Sequence, residues 1–421
     1  MEEQPHRPAW TAENSSPASF NWMAGSPPPE DRTIRFADGT YFQFPQMRWS
    51  VCHFDQLMPT KRVARGLSDP VPLGRRPIQD LDKVTFLPFY NQEPMTWVDS
   101  FDANFTDGIV VLHQGEIVYE RYAGALTPDG RHAAMSMTKS LVGLLGEIFI
   151  HEGLLTEEAR VDEYIPELAA SAFGDATVRQ VLDMTTGLAY SEDYADPKAE
   201  VWMHAAAGNP LPKPKDYEGP RTYYQFLQTV KKRGEHGQAF GYKTVNTDVL
   251  GWLISRVAGV PVTEILAEWI WKCMGMEQDA FFTVDSIGTP FAGGGLNTSL
   301  RDMARIGQMM LDDGRSQGWQ IVPGPVIESI RRGGNREAFK ADGYKTLPGW
   351  SYRSMWWISH NEHEAYMARG VHGQSLYIDP TAKMVIARFA SHPIAGNVHN
   401  DPTTLPAYHA IARDLMTHPR N

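Results

Sequence analysis

The stretch HAAMSMTKSLVGLLGEIFIHEGLL, residues 132–155, decides the reading of this chain. Its apolar residues recur at helical spacing, and Gly153 stands where a helix C-cap is expected. Few charges interrupt the run, so the pattern predicts a helix buried on most sides. Ser136 and Lys139 lie one turn apart, and residues three apart share a helix face, so hydroxyl and amine can meet. A serine is a poor nucleophile without a base. A lysine serves as that base only when burial or a nearby cation lowers its pKa, and the apolar run around Lys139 can supply the burial. With Ser136 at the helix N-terminus, its N–H would help to hold an oxyanion. Ser-x-x-Lys also arises by chance on surface helices, and these four residues alone leave both readings open.

Upstream, GIVVLHQGEIVYERYAG (108–124) holds two β-rich runs around His113-Gln114-Gly115-Glu116, a hairpin signal. Downstream the pattern is helical from about 160 to 285. VRQVLDMTTGL predicts a helix ending at Gly187, and NTDVLGWLISRVAG predicts another with Gly259 after it. Between them, residues 188–220 carry Pro197, Pro210, Pro212, Pro214 and Pro220 and are expected to form a long functional loop. Strand character returns in SYRSMWWIS, QSLYIDP and MVIARFAS, and YHAIARDLMTH closes the chain as a helix. Strands at both flanks with helices between them predict an α+β fold. One antiparallel sheet comes from 76–165 and 286–421, is flanked by helices, and receives 166–285 as an inserted helical domain. Residues 1–75, with the run Pro27-Pro28-Pro29, are expected to be an extended arm lying over the body. A site in the crevice between two domains would be a common arrangement.

Composition excludes several classes. The net charge is −11 and no long basic run occurs, which argues against a nucleic-acid partner. Cys52 and Cys273 show no CxxC spacing and read as free thiols of a reducing compartment. No basic start leads into an apolar stretch, and no apolar run reaches about 18 residues, so the expectation is a cytoplasmic protein without a membrane partner. No oligomerisation face is evident, which leaves monomer and homodimer open. No cofactor or metal is expected. His360 and His363 flank Glu362 without an HExxH pattern, so a solvated loop is expected there. Glu192, Asp193 and Asp196 fit no calcium loop and are expected in a solvent-facing turn. Gly293-Gly294-Gly295 lacks the lysine of a phosphate loop. His132 precedes the helix and explains less than Lys139 as a base.

Two more features could join Ser136. Tyr242, in FGYKTVNTDVLGW, sits just before a helix and could shuttle a proton, although a core tyrosine shows the same pattern. In GVHGQSLYIDP, Gly370 and Gly373 mark either a close backbone approach or a bulge. Together, in this order and spacing, the segments resemble the serine β-lactamase and penicillin-binding protein superfamily. Within it they look like class C enzymes, family VIII esterases and DD-peptidases. AGGGLNTSLRDMARIGQMML resembles the glycine-rich turn and helix that follow the helical domain there. HAAMSMTKSLVG, VLDMTTGLAYSEDYADP, VNTDVLGWLISRVAG and VHGQSLYIDP are similar to segments of an amide-cleaving branch.

The resemblance implies a serine hydrolase that cleaves small linear amides or esters through an acyl-enzyme. Ser136 would be the nucleophile and Lys139 the base, with Tyr242 either sharing that role or protonating the leaving group. Gly370 and Val371 would supply the second oxyanion N–H, and Tyr194, in Ser191-Glu192-Asp193-Tyr194, matches a loop tyrosine that helps an amine leave. Departures exist. The family's Tyr-x-Asn is Tyr242-Lys243-Thr244 here, with an asparagine only at Asn246. Its Lys-Thr-Gly is Ala368-Arg369-Gly370, with His372-Gly373-Gln374 as another register. Neither places the usual cation opposite the tyrosine, so β-lactamase activity is expected to be poor. Ala205 and Gly293 stand where polar side chains can occur. The alternatives are a family VIII-type carboxylesterase with little amidase activity and a non-catalytic, penicillin-binding-like binding protein.

Overall fold

The computed structural model describes residues 10–194, 196–213, 215–340 and 343–417. The hairpin signal at 113–116 lies toward one edge of the main sheet. Strands Thr106–His113 and Glu116–Tyr122 pair antiparallel through Gln114 and Gly115, with φ 53° and 82°. Two successive positive φ values suit a tight two-residue hairpin turn. Six further strands complete an eight-stranded sheet. Its spatial order is Ser351–Arg353, Trp356–Ile358, Tyr366–Gly370, Gln374–Asp379, Met384–Ala390, Thr106–His113, Glu116–Tyr122 and Gly74–Arg75. All neighbours are antiparallel except the last pair, which is parallel. That edge strand comes from the segment expected to be an arm.

Side chains alternate across a strand, so Gln374–Asp379 shows which helices cover which face. On one side Leu376 packs under Gly307 of the helix Leu300–Leu311, where an added Cβ would lie 2.8 Å from Leu376. On the other, Ser375 Oγ lies 2.7 Å from Tyr408 Oη of the helix Asp401–Leu415, and Tyr377 packs on the same ring. Helices on both faces explain why all six residues of this strand are buried.

The helix Met137–His151 lies against strands Trp356–Ile358 and Tyr366–Gly370 and packs on Val245–Ala258. Gly259 ends the latter helix with φ 71°. The helix expected to reach Gly187 stops at Leu182. Met184 turns left-handed at φ 51°, and the following residues are held elsewhere: Thr186 Oγ1 donates to Asn246 and the Gly187 N–H donates to His236 Nδ1. The proline-rich segment 188–220 is not all loop. It contains the helix Glu200–Gly208, set between Pro197 and Pro210.

The arm is woven in rather than laid over the body. Thr60–Val63 pairs with Ala280–Thr283, which pairs with Leu296–Thr298 and then His132–Ala133, giving a second, four-stranded sheet. Ala280–Thr283, placed in the helical insertion by sequence, therefore belongs to a sheet. Arg48 is 1% exposed and bridges to Asp107 at 3.1 Å. A buried pair of this kind resists separation, because either partner alone would leave an uncompensated charge. Among the described residues no single helix is long and apolar enough to cross a membrane.

Candidate active site

Ser136 caps the helix Met137–His151. Met135 before it has φ 47°, a left-handed conformation that costs a side-chain-bearing residue on the order of 1–3 kcal/mol. Lys139 is 1% exposed. Its Nζ donates to Ser136 Oγ at 2.8 Å and to the Gly293 carbonyl. Burial lowers the amine pKa to about 8 against the opposing pull of Glu192 and Asp248. The Gly293 peptide is gripped from both ends, because its N–H donates to Asp248 Oδ1 at 3.0 Å. A Cβ at Gly293 would lie 2.3 Å from Thr244 Cγ2, so the close approach requires glycine.

Tyr242 meets the other side of the hydroxyl. Its phenol hydrogen-bonds Ser136, its ring packs on Trp357 at 5.5 Å, and Lys139 Nζ sits 5.1 Å from the ring centre. Burial first, then the charge of Glu192, push its pKa well above 10. Tyr242 is thus a neutral proton donor beside an amine whose pKa is lowered, a pairing suited to general acid and base work.

Glu192, expected in a solvent-facing turn, instead pins the loop to the site. Its Oε2 accepts the Thr244 N–H at 2.6 Å, and its Oε1 accepts the Thr244 hydroxyl at 2.6 Å and the Tyr194 phenol at 2.8 Å. Tyr194 packs edge-on to Trp202 at 5.8 Å and reaches the cleft beside Ser136. The Thr244 donors lie 52 residues along the chain from Glu192, which is why no local motif announces the contact.

The strand Tyr366–Gly370 ends against the nucleophile. A Cβ on Gly370 would lie 3.0 Å from Ser136 N and 2.9 Å from the Ala134 carbonyl. This brings the end of Ala368-Arg369-Gly370 beside Ser136, with Val371 at the cleft. The other register turns away, since the His372 N–H donates to Ala395 and its Nδ1 meets the His392 carbonyl at 2.7 Å. Arg369 does bring a cation to the Tyr242 side, but Asp401 pairs with it and Trp357 stacks under it.

Asn246 is a correction. It is fully buried, accepts from Thr186 and donates to the Lys243 carbonyl, and it does not line the cleft. Its first-turn position faces the Thr186 loop, so it fixes that loop and offers nothing to a ligand. His132 is committed to Asp107 at 3.3 Å, and His360 to Ser351 at 2.7 Å. His363 is held by Asp379 at 2.8 Å and forms, with Glu362 and His409, a group of ligand-type atoms within 4.8 Å of one another, away from Ser136. His409, from the last helix, was not anticipated in that group.

A buried hydroxyl bonded to a buried amine beside a tyrosine, at a helix N-terminus, suits acyl transfer. A family model described as Beta-lactamase matches residues 98–405, and the chain belongs to that family as a serine hydrolase. A 6-aminohexanoate-dimer hydrolase of Paenarthrobacter ureafaciens is 38% identical over 352 residues, 83% of this chain and 86% of that one. A solved structure from Bacillus anthracis assigned to the 6-aminohexanoate-dimer hydrolases superposes with TM-score 0.83 at 31% identity, covering 94% of this chain and all of that one. A family VIII carboxylesterase shares the fold, with TM-score 0.56, 17% identity, 81% of this chain and 100% of that one covered.

Glu192→Ala removes a carboxylate that fastens the loop through three hydrogen bonds. Charge-assisted bonds of this kind contribute roughly 1.5–3 kcal/mol, so kcat/KM should fall about tenfold to hundredfold. Trypsin should also cut faster after Lys198. An unchanged digestion rate would show that Glu192 does not fasten the loop.

Proposed function

We propose that this enzyme hydrolyses small linear amides, and esters alongside them, through an acyl-enzyme on Ser136. The observation that carries the reading is the 2.8 Å contact between Ser136 Oγ and an amine whose burial lowers its pKa to about 8. The neutral amine of Lys139 takes the hydroxyl proton as Oγ bonds to the substrate carbonyl carbon. Tyr242 is not the base, because its buried phenol resists ionisation. The N–H groups of Ser136 and Val371 hold the oxyanion, and the helix N-terminus adds a favourable field. As the carbonyl carbon–nitrogen bond breaks, Tyr242 gives its proton to the nitrogen and the Lys139 ammonium restores it. Water then attacks the ester carbonyl as Lys139 takes its proton, and the Lys139 ammonium gives that proton to Ser136 Oγ as the carbon–Oγ bond breaks and the acid leaves.

Tyr194 distinguishes amides from esters. Its hydroxyl proton goes to Glu192, so its oxygen faces the substrate as an acceptor. An amide N–H can donate to it, which turns the nitrogen lone pair toward Tyr242. An ester has no such hydrogen. This favours the amidase reading over a carboxylesterase alone. The buried Lys139–Ser136 hydrogen bond, with Tyr242 packed beside it, also argues against a purely binding role.

The base must be neutral, so activity should be low below the Lys139 pKa and should rise with pH through about 8. Between pH 6 and the plateau, kcat/KM should gain about hundredfold, with no falling limb before pH 9.5 because the phenol is held above 10. A flat profile over pH 6–9 would contradict Lys139 as base. Tyr194→Phe should cost the amide about tenfold or more in kcat/KM and leave a matched ester within about twofold, the amide losing a hydrogen bond that the ester never makes. Equal losses would contradict the Tyr194 role.

A further inference from the structure

Ser136, Tyr194 and Val371 line two separate spaces, one on each side of the nucleophile. Tyr242 lines only one of them, together with Glu192, Lys345, Arg369 and Asp401. The leaving group takes its proton from Tyr242, so it departs on that charged side. The acyl chain must then lie on the other.

That other space has a different chemistry. The N-terminal arm contributes Tyr41, Phe42, Phe54 and Met58 to its wall, and Trp202 and Phe291 close it. Among the described residues, no Asp, Glu, Lys or Arg lines it. The carboxylates that touch its lining residues, among them His204, already face other groups. Asp248 faces His204 at 2.9 Å and the Gly293 N–H at 3.0 Å. Glu192 is held by Thr244 and Tyr194. A charge on the acyl chain would lose its water and gain no partner there, which is strongly unfavourable.

We infer that the acyl group this enzyme accepts is uncharged and apolar, and that the arm builds the pocket selecting it. The inference rests on the acyl-enzyme reading above and narrows it. An acyl chain ending in an ammonium is rejected, so 6-aminohexanoyl compounds are poor substrates for this chain.

The test uses the full chain and p-nitroanilides that differ only in the acyl group. From acetyl to hexanoyl, kcat/KM should rise about fourfold per methylene as the pocket fills. Hexanoyl should exceed 6-aminohexanoyl by at least about hundredfold at pH 7.5. Phe42→Asp places a carboxylate in the pocket wall and should shift that ratio at least about tenfold toward the aminohexanoyl substrate, with active enzyme counted by phosphonate titration. Equal turnover of the two chains by the native enzyme, or an unmoved ratio in Phe42→Asp, would overturn the apolar pocket and leave the Ser136 mechanism standing. No turnover of any anilide or p-nitrophenyl ester, with no phosphonate uptake, would overturn both.

Discussion

The site depends on keeping one amine out of water. Lys139 is enclosed between the serine helix and the Gly293 turn, and its pKa falls from 10.5 to about 8. By linkage, a lysine whose folded pKa is lowered costs stability at pH below both values, here about 3 kcal/mol relative to an exposed lysine. Stability is regained as pH rises through 8. That cost is the condition for activity, because only the neutral amine can take the serine proton. The arrangement that holds it is a chain of bonds: Asp248 to the Gly293 N–H, the Gly293 carbonyl to Lys139, and Lys139 to Ser136.

The same burial separates the duties of the two titratable partners. Desolvation disfavours charge on both, so it lowers the amine pKa and raises that of the phenol. Lys139 is thereby suited to accept a proton and Tyr242 to donate one. That enclosure suits Lys139, rather than Tyr242, to the base role we propose. Glu192 reinforces the split, since its negative charge raises the Tyr242 pKa further while its oxygens anchor Thr244 and Tyr194.

Much of this was legible in the sequence because it is local. Ser136 and Lys139 declare themselves through a one-turn spacing, the 113–116 hairpin through its turn residues, and the helix at 245–258 through its period and Gly259. What stayed hidden depends on contacts between distant segments. Glu192 looked like one acid among several until Thr244 folded onto it. Asn246 looked like a motif residue but faces Thr186. The helix Glu200–Gly208 was masked by prolines that bound it rather than break it. The arm gave no sign that its aromatics reach the nucleophile, because strand pairing over about 220 residues, as between Thr60–Val63 and Ala280–Thr283, leaves no local pattern.

The most direct measurement is mass spectrometry after treatment with an active-site-directed phosphonate. The native protein should carry one adduct, on the peptide containing Ser136, and uptake should quicken as pH rises through 8. Folded Ser136→Ala should carry none. An adduct on any other residue, or no adduct on the folded native chain, would contradict a nucleophilic Ser136 served by a buried neutral lysine.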